Sequence, residues 1–359
     1  MLTRDLHFDL PDHLIATKAA EPRDASRLMV CNRQTNTLEH LHVRDLATRE
    51  DLLSDGDLLV FNQTRVLPAF ISGTRVGTGG KVTGLYLNAT DQNHWQVMLE
   101  SRGKLQPGEQ IALTDDSHLT LLQRIDGGEW LVQVTSPLTT LELLQQVGST
   151  PLPPYIRKAR RQQGLDEITD EDQQRYNTVY AQTFGSVAAP TAGLHYTPEL
   201  LKALTDRGIE LGYVTLHVGM GTFMPVRTER VDDHPIHAEP ITVTQQALAQ
   251  LKRARQQGRR IVPVGTTTVR TLESLPENWQ SLDSDYSANT SLYIYPDRAD
   301  FAYRFTDAMM TNFHLPESTL LAMVATLPEM GLERLKNWYH QAIENEYRFY
   351  SYGDAMLIL

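Results

Sequence analysis

The chain has 359 residues, of which 41% are hydrophobic and 21% charged, enough to bury more than one ordinary core, so two domains are expected. A formal net charge of -11 argues against indiscriminate nucleic-acid binding, because phosphate backbones reward positive potential. A single cysteine, Cys31, excludes an internal disulfide and a multi-cysteine zinc site. In chain order, the opening MLTRDLHFDLPDHLI lacks the uninterrupted apolar stretch of a signal peptide, and no later run approaches the roughly 20 apolar residues that span a bilayer. A soluble, cytoplasmic protein without membrane contact is expected. LLVF at 58–61 reads as a strand. From Val66 to about Ser136, the alternating segments VLPAFISGTRV, KVTGLYL, HWQVMLES, EQIAL, LTLLQRI and EWLVQVTS are separated by TGG, DQN, PGE, TDD and DGG, the spacing of a small antiparallel barrel or sandwich. YVTLHV at 213–218, RIVPV at 260–264 and SLYIY at 291–295 read as further strands, alternating with helical stretches. One helix is signed by Thr197 as cap, Pro198 and Glu199 in its first turn and Gly208 past its end. Another runs from Thr244 to Gly258, and Pro316 to Tyr347 is mostly helical with a break near Pro328 and Gly331. The predicted fold class is α/β: a mixed-sheet main domain formed by residues 1–65 and 151–359, interrupted by an all-β, barrel-like domain at 66–150.

Two stretches of small residues and hydroxyls, GSVAAPTAGLHYT from Gly185 and TLHVGMGTFM up to Met224, each set a histidine beside glycine. Glycine and alanine let backbone approach a ligand, threonine donates and accepts, and histidine is poised for proton transfer near neutral pH. Tight turns with incidental histidines are the plainer reading of the same composition. No GxGxxG after a strand, P-loop, nucleophile elbow or HExxH is present, which removes the usual support for dinucleotide binding, phosphoryl transfer and zincin hydrolysis. His237 and Glu239 are spaced to share one face of an extended segment, as an acid/base pair or a metal pair, and no further ligand is identifiable by spacing, so no metal is expected. Arg23, Arg27, Arg65 and Arg270 stand in polar, well-marked settings suited to carboxylates or phosphates. Nine of the 33 basic residues fall in two knots free of acidic residues, Arg157, Lys158, Arg160 and Arg161, then Lys252, Arg253, Arg255, Arg259 and Arg260.

EPRDASRL, LLVFNQTRVLPA, PLPPYI, RYNTVYA, GSVAAPTAGLHYT, VTLHVGMGTFMPV, IHAE, VGTTTVRTLES, TNFHLPESTLL and YRFYSYGDAML follow one another along nearly the whole chain. Together they resemble the S-adenosylmethionine:tRNA ribosyltransferase-isomerase family. The resemblance implies an α/β domain with an inserted barrel, and an enzyme of queuosine biosynthesis. Its reaction moves the ribosyl part of S-adenosylmethionine onto 7-aminomethyl-7-deazaguanine at the tRNA wobble position, giving epoxyqueuosine-tRNA, adenine and methionine. S-adenosylmethionine is then a consumed co-substrate, no cofactor is bound permanently, tRNA is the partner, and a monomer or weak homo-oligomer is expected. Such chemistry needs a base for the 5′ carbon beside the sulfonium, an acid for the leaving adenine and a neutral attacking amine.

Under that resemblance His195, His217, His237 and His314 lie in matching motifs. His195 and His217 are expected nearest the chemistry, with His237 and Glu239 completing the catalytic set. Arg23, Arg27, Arg65 and Arg270 are candidates for the methionine carboxylate or tRNA phosphates, Thr191, Thr266, Thr267 and Asn312 for neutral hydrogen bonds, and Asp24, Glu239, Glu273 and Asp354 for the sulfonium, ribose or base amine. An internal salt bridge is the competing reading of Asp24 and Glu273. The two basic knots are expected to carry tRNA, with Arg348 beside them, and Tyr347, Phe349, Tyr350 and Tyr352 to stack an exposed anticodon base or pack a helix end. The chain departs from the family at IATKAA (15–20), at Asp297 in place of a glycine, and after Ala325; an aspartate copies a glycine's positive φ only at some cost, so reshaping is expected near 296–300. The alternatives are a non-catalytic RNA-binding protein and a histidine-based metal hydrolase.

Overall fold

Two sheets of different character carry the chain in the computed structural model, which describes residues 1–125, 128–219 and 226–359. The larger has nine strands in the order Tyr286–Thr290, Glu239–Val243, Glu210–Leu216, Leu58–Asn62, Ile261–Val264, Met309–Asn312, Ala355–Ile358, Arg27–Asn32 and Thr37–His42. Its centre is parallel, from 210–216 through 58–62 and 261–264 to 309–312, while the flanking pairs are mostly antiparallel. Leu58–Asn62 is buried at every position, as a central strand covered on both faces must be. Alternate side chains serve opposite faces: Leu58 and Val60 pack with Leu248, Leu251 and Trp279, whereas Leu59 and Phe61 pack with Tyr196, Leu200 and Leu204.

The smaller sheet closes on itself. Strands Phe70–Arg75, Lys81–Asp91, His94–Ser101, Glu129–Thr135, His118–Arg124 and Gln110–Ala112 form a ring, because the last pairs back onto the first, and the two residues Gly148–Ser149 add to its side. Period-two burial fills its interior with Val82, Trp95, Val97, Leu119, Leu121 and Val132, the pattern that the alternating segments anticipated. A two-stranded parallel pairing of Thr64–Val66 with Thr183–Ser186 leads from the large sheet toward this barrel.

The helix signals act as read. Thr197 accepts the Leu200 N–H to start Pro198–Asp206, and Thr244 accepts the Ala247 N–H to start Gln245–Gln256. The C-terminal region divides into Thr319–Ala325, capped by Ser318, and Leu332–Glu344. SLYIY corrects an expectation. The edge strand is the polar segment Tyr286–Thr290, and 291–295 makes no ladder; its Leu292 and Tyr293 carbonyls accept from Arg270 and Arg298 while its side chains pack into the core. Asp297 adopts φ 67°, the left-handed conformation that favours glycine.

Candidate active site

Strand polarity places the chemistry-bearing segments along one edge of the nine-stranded sheet. The four parallel strands end there, releasing Thr64 and Arg65, His217, Gly265 to Thr267, and His314. Their antiparallel neighbours begin at the same edge and bring Glu239 and Asp354. In open α/β sheets this carboxyl edge is where loops and helix N-termini converge on ligands.

Three adjoining hollows share Leu320 at this edge. One of about 390 Å³ is lined by Ala189 to Ala192, Val218, Gly265, Thr266, Thr267, Thr311 and His314. A second of about 410 Å³ is lined by Tyr155, Thr191, Asn312, His314, Ser318 and Tyr350. The third, about 430 Å³, is lined by His234, His237, Glu239, Arg270, Tyr293 and Met323. The two small-residue stretches meet here: Val187 donates to the Val218 carbonyl at 3.0 Å, and the Val218 N–H donates to Ser186 Oγ at 2.7 Å. A Cβ on Gly185 would fall 2.6 Å from His217 Nδ1, so the bare glycine is what lets the imidazole lie on the backbone. The remainder of the second stretch, 220–225, including Gly221 and Met224, lies outside the described residues.

The histidines separate sharply. His217 is half-buried; its Nδ1 hydrogen-bonds Thr64 Oγ1 at 2.8 Å, and its Nε2 has no hydrogen-bond partner among the described residues. Burial lowers its pKa, which keeps it neutral and able to accept a proton at pH 7. His195 is 3% exposed, with Nδ1 on Ser26 Oγ at 2.9 Å and Nε2 on Asn312 Oδ1 at 3.3 Å. Asn312 Nδ2 donates to the Tyr350 carbonyl, which turns Oδ1 toward the ring and calls for the proton on Nε2. Desolvation pushes His195 down to about 4. Both nitrogens are thus occupied, and His195 braces Asn312. His314 lines two hollows, is held at Nε2 by Thr311 Oγ1, and is pushed down to about 3 by burial. His237 is exposed at the rim of the third hollow.

Glu239 and Arg270 form a buried ion pair at the floor of that hollow, and Glu239 also accepts the Gly219 N–H at 2.7 Å. Arg270 is therefore a neutralised partner, with its Nε on the Leu292 carbonyl. Thr266 and Thr267 open the helix Thr266–Glu273 after Gly265, whose φ of 91° only glycine takes without strain.

Other expected ligand residues are committed elsewhere. Asp354 is fully buried and accepts from the Arg27 and Arg348 N–H groups and the Arg348 guanidinium, so it is an internal anchor and Arg348 is its partner. Glu273 is not paired with Arg270; it accepts from the Arg304 and Phe305 N–H groups and the Thr306 hydroxyl, and desolvation raises its pKa. Asp24 accepts from Thr197 Oγ1, and Arg27 lies over the Tyr347 ring. Tyr347, Phe349, Tyr350 and Tyr352 are buried, which fits the packing alternative of their two readings.

Arg23 and Arg65 line a separate open cleft of about 1260 Å³, with Gln173, Gln174, Asn177 and Phe184. Arg23 caps the Leu194 and Gln174 carbonyls, whereas Arg65 is exposed and lies 4.7 Å over Phe184. The basic knots are not free cations. Arg160 is buried and bidentate to Asp172, Arg157 and Arg161 share Glu167, and only Lys158 of the first knot has no partner among the described residues. In the second knot Arg253 and Arg259 share Glu210, Arg255 meets Asp307, Arg260 meets Asp57 and Lys252 donates to a carbonyl. That knot also precedes strand Ile261–Val264, at the edge opposite the hollows.

Sequence comparison decides between the readings of this site. The family model described as queuosine biosynthesis protein matches residues 3–358. A protein of Desulfitobacterium hafniense named S-adenosylmethionine:tRNA ribosyltransferase-isomerase is 41% identical over 100% of both chains, and one of Symbiobacterium thermophilum with the same name is 42% identical over 100% of both. The chain belongs to the S-adenosylmethionine:tRNA ribosyltransferase-isomerase family. A crystal structure of S-adenosylmethionine tRNA ribosyltransferase from Thermotoga maritima is similar in fold, with a TM-score of 0.55 at 31% identity, covering 99% of this chain and 100% of that one. Membership in the ribosyltransferase-isomerase family makes the chain an enzyme, and displaces the RNA-binding-only and metal-hydrolase readings. Sequence reasoning overlooked His234, Tyr293 and Ser318, which line these hollows; Tyr293 lay in SLYIY, read only as a strand, and His234 lies just before the His237 and Glu239 spacing.

Proposed function

We propose that the chain transfers and isomerises the ribosyl moiety of S-adenosylmethionine onto 7-aminomethyl-7-deazaguanine at the wobble position of tRNA, releasing adenine and methionine, with the sulfonium nucleoside as a consumed co-substrate. The observation that carries this reading is the position of His217. The residues that hold it belong to two spaces at once: Thr64 and Gly185 adjoin Arg65 and Phe184 of the open cleft, and Val218 lines the small hollow. An RNA-borne amine and a small sulfonium nucleoside must meet at such a junction.

His217 is the candidate base for the 5′ carbon: it is neutral at pH 7, tethered at Nδ1, and unpartnered at Nε2 among the described residues. The first N–H groups of the helix Thr266–Glu273, with the Thr191 and Thr266 side chains nearby, suit the methionine carboxylate, because a helix N-terminus leaves donors unsatisfied and favours negative charge. The open cleft, flanked by Leu67, Pro68 and Gln145 of an inserted barrel domain at 66–150 and by Arg23, Gln173 and Asn177 of the main domain, suits RNA backbone, since amides and guanidinium groups serve phosphate and sugar. Arg65, exposed at this cleft, adds a cation to it. Incubation with S-adenosylmethionine and tRNA carrying the deazaguanine precursor should yield epoxyqueuosine by nucleoside mass spectrometry, with adenine released in step. Neither product appearing would overturn the assignment.

A further inference from the structure

The hollow lined by His234, His237, Glu239 and Arg270 is also lined by Tyr293, a residue with a polar group that none of the described residues uses. Tyr293 is only 8% exposed, and its hydroxyl is buried without a hydrogen-bond partner among the described residues. A hydroxyl stripped of water and given nothing in return is costly, and a ligand that completes it explains its retention. The surroundings state what kind of ligand. Ile236, Leu292, Ile294 and Met323 supply apolar walls, and the His234 ring stands edge-on to Tyr293 at 6.1 Å. The buried charges cancel, since Arg270 is taken up by Glu239. An uncharged, flat molecule with hydrogen-bonding atoms along its edge matches that lining, and a carboxylate or ammonium does not.

We infer that this hollow is the subsite for the adenine of S-adenosylmethionine, with the Tyr293 hydroxyl hydrogen-bonding the edge of the base. The inference rests on the proposed function and deepens it. The nucleoside then lies across Leu320 and Thr319, its neutral base in this hollow and its charged amino-acid end toward the N–H groups after Gly265, so the two ends are sorted by charge. The deazaguanine fits less well: it arrives on RNA and carries a cationic aminomethyl group, which the already paired Glu239 does not attract.

Calorimetric titration of the full chain with free adenine and, separately, with methionine tests the assignment. Tyr293→Phe keeps the ring and removes only the hydroxyl, so it should weaken adenine binding by about fivefold to tenfold and leave methionine binding within about twofold. Ile236→Trp, at the half-exposed rim, should block adenine while sparing methionine. Adenine binding unchanged in Tyr293→Phe, both ligands weakened equally, or no measurable adenine binding to the unaltered chain would each overturn the subsite. So would Tyr293-dependent binding of the free 7-aminomethyl-7-deazaguanine base with adenine indifferent. Turnover by the unaltered chain distinguishes the two levels: no adenine release from S-adenosylmethionine and tRNA defeats the function itself, and release without any Tyr293 effect defeats only the subsite.

Discussion

His217 and His195 differ in what surrounds them, and that difference predicts different effects of replacing them. One nitrogen of His217 is tethered to Thr64 and the other is unpartnered among the described residues, whereas both nitrogens of His195 are occupied. His217→Ala should therefore cut adenine release by roughly 10² to 10⁴, the range of a general base, with little change in unfolding midpoint. His195→Ala should instead destabilise the fold by about 1–3 kcal/mol, because Ser26 and Asn312 lose a buried partner. Adenine release and urea unfolding on both variants check the division; a rate loss under about tenfold in His217→Ala removes it from catalysis. The buried imidazoles also set a pH dependence. His195 is held down to about 4 and His314 to about 3 by desolvation, against about 6.5 in an unfolded chain. Between those values the unfolded state binds more protons, so this stability is complete above about pH 6.5 and is lost as pH falls toward 4 and 3. His314→Gln should flatten the fall in unfolding free energy by up to about 1.4 kcal/mol per pH unit over that window, and an unchanged slope would count against a buried neutral His314.

The ion pair between Arg270 and Glu239 joins the helix Thr266–Glu273 to the start of strand Glu239–Val243, so its effects belong to elements. Arg270→Ala leaves a carboxylate buried without its cation and should cost about 3–5 kcal/mol of unfolding free energy. Replacing both partners by apolar residues, Glu239→Leu with Arg270→Met, should recover most of that loss, because the cost comes from the orphaned charge; urea unfolding of the single and double variants measures it. The elements were legible where local chemistry alone decides them. Thr197 and Thr244 announced their helices as caps, and the six barrel strands were marked by alternation and polar turns. SLYIY misled because an apolar run with strand composition can equally pack into a core without a ladder, while its true neighbour YSANT is a polar edge strand with little signal. The motifs of the site were legible as small-residue stretches, and the sheet edge explains their convergence. Which imidazole is walled in was not, since burial of His195 depends on Ser26 and Asn312, far away in sequence.

At the scale of the whole molecule, the chain is acidic, with a formal net charge of -11. Acidic partners unseen within the basic knots come from elsewhere in the chain: Glu167 and Asp172 for the first, and Asp57, Glu210 and Asp307 for the second. Arginine clustering in sequence thus marked internal ties, and those of the second knot lie at the sheet edge away from the hollows. Arg65 is different, being exposed, stacked on Phe184 and part of the open cleft. A side chain that contacts phosphate releases a counterion, so Arg65→Ala should weaken tRNA binding most at low salt and reduce the slope of log affinity against log salt by about 1. Arg255→Ala, which breaks a tie to Asp307 at the opposite edge, should leave that slope unchanged and lower the unfolding midpoint slightly. Filter-binding titrations across a salt series on the two variants, beside the unaltered chain, give both slopes. If Arg255→Ala lowered the slope and Arg65→Ala did not, the tRNA would have to lie across the edge of the sheet remote from His217, and the junction that supports the proposed chemistry would be lost.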